Sequence, residues 1–248
     1  MNEFKAKIAA NSIIAIIIAV GIIVASAVMA NGIAEIKDGG SKITVTGSAK
    51  QQITSDLIVW TGSFNAKSPV LQDAYARLET DKNKVMDYLV KEGIKKDKII
   101  FSSITTNPYY VILPNGQYTS DIDYYDLNQT VTISSEEIGK VTEISRNATE
   151  LINQGVQFQS NMPQYLYTKI ADKKVKMLAE ASKDARKRAE MIAENAGSKL
   201  GGLKFADMGV IQITPLYSNE VSDYGMNDTY SLEKEITAIV HCEFEIQK

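Results

Sequence analysis

The stretch Thr168 to Gly197, TKIADKKVKMLAEASKDARKRAEMIAENAG, is the longest uninterrupted pattern in the chain, and its reading decides the fold class. Small and apolar residues recur at Ala171, Val175, Leu178, Ser182, Ala185, Ala189, Ile192 and Ala196. Their alternating steps of four and three place them along one side of a helix. The opposite side carries Lys173, Lys176, Glu180, Lys183, Lys187 and Glu194, a solvated face. Thr168 suits an N-cap, Asp172 lies where the helix dipole favours an anion, and Gly197 can take the left-handed conformation that ends a helix. At about 1.5 Å of rise per residue the element is roughly 45 Å long, enough to cross a whole domain. Its stripe is narrow and rich in alanine. Small side chains permit close approach, so the expected partner is a flat β-sheet rather than a bulky helix.

Outward from this helix, β-branched and aromatic runs mark strands on both sides. Ile43 to Gly47 and Ile53 to Phe64 form two, and Ser68-Pro69 then opens a helix as N-cap and first-turn proline. The buried stripe of that helix is Leu71, Ala74, Tyr75, Leu78, Val85, Met86 and Leu89, and Gly93 followed by Ile94 ends it. Ile99 to Leu113 and Gln117 to Ile133 are long β segments joined at Pro114-Asn115-Gly116, a strong hairpin signal. Ser134-Ser135-Glu136-Glu137 resembles a capping box for a helix through Ile138, Val141, Ile144, Ala148 and Leu151 to Gly155. A short strand, Val156 to Gln159, precedes the long helix, and Gly209 to Leu216 and Glu233 to Ile246 follow it, separated by the polar loop Ser218 to Tyr230. The order ββαββ then αβαββ lacks the regular alternation of a parallel sheet. It predicts an α+β domain, an antiparallel sheet with packed helices that include the one long Ala-rich helix.

The N-terminus is set apart by composition. Residues 1–7 read as a cytoplasmic N-terminus, and Ile8 to Ala30 is a charge-free run long enough to cross a hydrocarbon core of about 30 Å. It is either a transmembrane anchor or a signal peptide cut at Ala25-Ser26-Ala27 or Val28-Met29-Ala30. Its length and the apolar stretch Ile13 to Val24 favour a single uncleaved transmembrane helix. Lys5 and Lys7 before it, with Glu35, Lys37 and Asp38 after it, place the rest outside the cytoplasm, periplasmic or at the cell surface, and secreted if 8–30 is removed. Residues 31–42 read as a linker and 43–248 as the domain.

A net charge of −3 with interspersed signs excludes the basic footprint that nucleic acid requires. Cys242 is the only cysteine, so neither an internal disulfide nor a cysteine-based zinc cluster can form. His241 is the only histidine. In a strand the two adjacent side chains point to opposite faces, so Cys242 reads as a small core residue beside Val240, Phe244 and Ile246, with His241 on the polar face. Asp121, Asp123 and Asp126, like Glu220, Asp223 and Asp228, lack the glycine and distant glutamate of a calcium loop and read as solvated. No glycine-rich phosphate loop appears, and no cofactor or metal is expected. Tyr109, Tyr110, Tyr118, Tyr124 and Tyr125 cluster around the hairpin, with Tyr217, Tyr224 and Tyr230 in or beside the late loop. Tyrosine is enriched at interfaces and in ordinary sheet packing alike. If the domain self-associates, these two regions are the expected surfaces.

From Ile43 to Gln247 the chain resembles the SIMPL-domain proteins, mostly bacterial and exported or membrane-anchored. The resemblance rests on Thr44-Val45-Thr46-Gly47-Ser48-Ala49, on Asp56, on Gly93-Ile94 leading through Asp97 and Ile99 to Pro108-Tyr109, and on Ala181 to Gly197 followed by Leu200-Gly201. That last segment fits A-x-x-x-A-x-x-x-A-E-x-x-A-x-x-x-G. One departure is Ser55, where many relatives carry proline. The resemblance implies a non-enzymatic envelope protein with no catalytic residues to carry over, in a group that includes ring-like homo-oligomers and proteins linked to tolerance of oxidative stress. The expected function is therefore an extracytoplasmic assembly or interaction module, bound to the membrane through residues 8–30 and homo-oligomeric. The alternatives are a ligand- or cation-binding envelope protein and, behind it, an envelope hydrolase, which needs a polar cluster in a cleft.

Overall fold

The computed structural model describes residues 18–29 and 41–247. Among them are four helices and ten strands. Helix α1 covers 18–29. It is followed by β1 (Lys42–Thr54), β2 (Leu57–Ser68), α2 (Leu71–Lys91), β3 (Ile99–Phe101), β4 (Thr105–Ile112) and β5 (Tyr118–Ser135). Then come α3 (Ile138–Asn147), β6 (Gln157–Ser160), β7 (Gln164–Leu166), α4 (Ile170–Asn195), β8 (Lys199–Met208), β9 (Gln212–Pro215) and β10 (Glu233–Gln247). The class is α+β, as expected, with antiparallel strand pairing, but the strands form two sheets rather than one.

The chain divides into two compact units. The larger holds Ser48–Ala181 and Gly209–Ile239, and its six-stranded sheet runs β3-β5-β2-β6, with β4 added to β5 and β7 to β2. Alternation builds its core. In β2 the side chains of Ile58, Trp60, Phe64 and Ala66 are buried in every second position, and they meet Leu127, Val131 and Ile133 from β5. Gly62 occupies the same inner row because a Cβ there would lie 2.2 Å from Phe158 Cζ, and the Phe158 ring packs 6.2 Å from that of Trp60. Helix α2 covers this face with Ala74, Leu78, Val85, Tyr88 and Leu89, and α3 adds Val141 and Ile144. In the same unit β9 pairs with the first half of β10.

Among the described residues, the smaller unit contains 18–29, 41–47, Ser182–Met208 and 240–247. Here the second half of β10 pairs with β8, and the start of β1 lies on its other side, where the Ile246 N–H donates to the Ser41 carbonyl at 2.6 Å. Lys42 is thus the first residue of a strand, not the last of a linker. Thr44, Val45 and Thr46 of β1 share a groove of about 510 Å³ with Arg188, Met191 and Ile192 from the second half of α4.

Several local expectations need correction. The second strand begins at Leu57, and Ile53 belongs to β1, because the chain turns at Ser55-Asp56. Ser68 is the buried last residue of β2, and its hydroxyl accepts the Val70 N–H, so the cap position of α2 falls to Val70. Leu71 and Tyr75 are exposed and Tyr88 is buried in their place. The proposed capping box is likewise absorbed, with Ser134 and Ser135 ending β5; α3 stops at Asn147 and continues to Gln154 as a 3-10 helix. Strand β8 was not expected, since Gly201-Gly202 breaks its pattern. Gly201 is needed there, because a Cβ would lie 2.9 Å from that of Glu245 where β10 bulges. In α4 the buried line is Met177, Ala181, Ala185, Ala189 and Ala193. That is a strict four-residue ridge, which runs obliquely over a helix instead of parallel to its axis. Val175 and Ile192 consequently face solvent. Among the described residues no helix is long and apolar enough to cross a membrane, and residues 8–17 and 30 of the expected span lie outside those described.

Candidate functional site

The hairpin of β4 and β5 is the most unusual surface of the larger unit. Gly116 at φ +83° closes its turn, the N–H of Leu113 donates to the Gln117 carbonyl, and Asn115 Oδ1 accepts the Gln117 N–H. All eight residues of β4 are exposed, and so is most of β5 before Tyr124. Both faces of this ribbon are therefore open while it carries Tyr109, Tyr110, Val111, Ile112, Leu113, Tyr118 and Ile122. Ile112 is 57% exposed and Tyr118, its cross-strand partner, 74%. Tyr109 stacks on Tyr124 at 4.7 Å, and the Lys67 ammonium sits 5.3 Å from the Tyr124 ring. Among the described residues β4 pairs with β5 alone, and Pro108 within it is a residue tolerated on an edge strand.

The structure separates the tyrosines of the two regions expected as interfaces. Tyr109, Tyr110, Tyr118 and Tyr124 belong to the ribbon, whereas Tyr125 at its root packs against the core. Tyr217 and Tyr224 are almost fully exposed in the loop after β9. The acidic run is split too. Asp126 is buried and held by Asn65 Nδ2 at 2.8 Å and Lys67 Nζ at 3.8 Å, while Asp121 and Asp123 face water. Among the described residues no three His, Cys, Asp or Glu side chains gather as metal ligands.

His241 and Cys242 lie on opposite faces of β10, as strand parity predicts. Burial pushes the Cys242 thiol above its ordinary value. His241 is exposed on the open sheet face, its Nδ1 3.0 Å from Thr46 Oγ1, opposite Asp207 of β8.

A second polar centre was not foreseen. Lys234 is only 3% exposed; its Nζ donates to the carbonyls of Tyr165 at 2.6 Å and Asp228 at 2.5 Å. Burial lowers its pKa from the ordinary value, and the nearby Asp228 carboxylate works against that. Asp228 Oδ1 accepts the N–H groups of Tyr230 and Ser231, whereas its Oδ2 is buried with no partner. Both residues are among those lining a cavity of about 270 Å³. Burial alone would raise the Asp56 carboxyl, but the N–H and hydroxyl of Thr168, a lining residue, donate to it at 2.7 and 2.8 Å and help hold it below its ordinary value. Thr168 therefore serves Asp56 and does not cap α4, which starts at Ile170. One signal for Lys234 was present in the sequence: it stands in phase with Ile236, Ala238, Val240 and Cys242, the buried row of β10.

The SIMPL family model, described as "Protein of unknown function (DUF541)", matches residues 43–244. No curated protein matches the chain.

Proposed function

The chain belongs to the SIMPL family, and on that premise we propose that it is a non-enzymatic assembly module, held at a membrane by residues 8–30 with its folded part outside the cytoplasm, whose copies associate through the β4–β5 ribbon. The observation that carries this reading is a two-stranded ribbon, exposed on both faces and rich in tyrosine and isoleucine, with an unpaired edge. Such a ribbon is marginal alone in water, large apolar patches on it mark interaction surfaces, and a free edge is a template for another strand. The apolar, exposed side chains of α1, among them Ile18, Ile22, Ile23 and Val28, support the membrane part of the proposal. In this reading the assembly strengthens the envelope, which is how it would contribute to tolerance of oxidative stress.

The experiment is light scattering on the detergent-solubilised full chain and on the fragment from Ser41. A discrete oligomer in both, converted to monomer by Ile112→Asp with Tyr118→Asp, is the expected result. A monomer in both, or an oligomer indifferent to those changes, would remove the ribbon from the proposal. Retention of the full chain in the membrane pellet after alkaline carbonate washing tests the anchor; release into the supernatant refutes it.

A further inference from the structure

The main chain of β4 decides how a second copy can join the ribbon. Leu113 donates its N–H to the Gln117 carbonyl at 2.8 Å, and the Val111 carbonyl accepts the Thr119 hydroxyl at 3.1 Å. The N–H and C=O of a strand residue point to the same side and successive residues alternate, so Tyr109, Val111 and Leu113 turn their main-chain groups to β5. Pro108, Tyr110 and Ile112 turn theirs outward, where among the described residues no strand pairs with them. Pro108 costs the ribbon nothing there, since the N–H it lacks would face out.

This edge lacks the usual defences against pairing, which are charged side chains and bulges on the edge strand. From Thr105 to Pro114, TTNPYYVILP, there is no charged residue. The irregularities of the β4–β5 register put their extra residues on β5, so β4 stays regular. The free edge of β8 is different. Extra residues interrupt its pairing with β10 twice, and it carries Lys199, Lys204 and Asp207.

We propose that two copies join by antiparallel pairing of β4 with β4 about a two-fold axis centred on Val111, which makes one four-stranded sheet from two ribbons. The prolines select this register. Tyr110 of one copy exchanges both main-chain hydrogen bonds with Ile112 of the other, and the symmetric pair does the same. Pro108 and Pro114, which have no N–H to give, fall opposite each other at the two ends. Centring on Tyr110 would set Pro108 against Ile112, and centring on Tyr109 would set it against Tyr110, each time leaving an outward carbonyl without its donor. The side chains also match: Tyr110 meets Ile112 on one face, while Val111 meets Val111 and Tyr109 meets Leu113 on the other. A two-fold contact closes on itself, so this interface yields a dimer and no open chain. The inference rests on the ribbon reading and adds its partner surface, symmetry and register.

Disulfide mapping of the full chain in detergent tests this. Directly opposite residues outside the hydrogen-bonded pairs have Cα atoms about 4.5 Å apart, within reach of a disulfide. Under mild oxidation Val111→Cys should therefore link to the same residue of the second copy, seen as a reducible dimer in denaturing electrophoresis. In this register Tyr109 lies about 14 Å along the strand from Tyr109 of the second copy, so Tyr109→Cys and Leu113→Cys should each link at least about ten-fold more slowly. An equal mixture of those two variants should link again. The native chain is the control, because Cys242 is buried. Ile112→Pro deletes an outward N–H that β5 does not use, and should halve the light-scattering mass with the circular dichroism spectrum unchanged. An oligomer in which Val111→Cys links no faster than Tyr109→Cys, or one that survives Ile112→Pro, would overturn this pairing and leave the ribbon reading standing. A native chain that is monomeric in light scattering would overturn both.

Discussion

The two ends of the β4–β5 hairpin are made of similar residues and lead opposite lives. At and below the root, Leu127 of β5 is buried between β2 and β4, and Val131 and Ile133 between β2 and β3, in the core that α2 covers. At the tip, Tyr110, Ile112, Tyr118 and Ile122 are as apolar or aromatic, but every residue of β4 is open to water. Strand propensity is the same along the ribbon, so the difference lies in what covers it. The root is flanked on both edges and roofed by a helix, whereas among the described residues the tip pairs with its own partner strand and no further element. Hydrophobicity thus builds a core at one end and leaves an unfilled surface at the other.

The sharpest way to break the comparison is truncation at each end. Ile133→Ala at the root removes a fully buried side chain and should cost about 2–5 kcal/mol in urea unfolding of the fragment from Ser41. Lys234→Met comes next. It leaves the Tyr165 and Asp228 carbonyls without their donor, an expected loss of about 1–3 kcal/mol per stranded buried group, offset in part by no longer burying a charge. At the turn itself, Gly116→Ala forces a side chain into the left-handed region and should cost about 1 kcal/mol. Circular dichroism melts of the fragment under conditions where it is monomeric would show it. Ile112→Ala at the tip should change monomer stability by less than about 0.5 kcal/mol, yet weaken the oligomer in light scattering. A large stability loss at the tip would mean that it is core after all.

The smallest expected effect concerns pH. The folded Asp56 carboxyl lies below its ordinary value of 3.8, so the folded state holds its proton more weakly than the unfolded chain. The stability this contributes is complete above that ordinary value and is lost as the pH falls through the lower, folded value. Thr168→Val removes the hydroxyl donor, and the acid limb of a stability–pH curve should become shallower below about pH 4. An unchanged limb would show that the backbone N–H groups and the Lys169 charge hold the carboxylate without the hydroxyl.

Much of this organisation was legible in the residues themselves. The period-two alternation of β10 fixed which side of Cys242 is buried, Asn115-Gly116 marked the hairpin, and Gly93 and Gly197 ended their helices at positive φ. Each of these is a local property, a dihedral preference or a parity that the residue and its immediate neighbours impose. What depended on covering layers was not legible. The buried ridge of α4 shifted to Met177, Ala181, Ala185, Ala189 and Ala193, Ser68 and Ser135 became strand ends instead of caps, and β8 formed despite its glycines because β10 offered it a partner. Lys234 is the clearest instance. Strand parity alone put it on the inner row, but only the tertiary structure, by bringing the Tyr165 and Asp228 carbonyls within reach, made a buried ammonium tolerable, because a charge leaves water only where other dipoles replace its hydration.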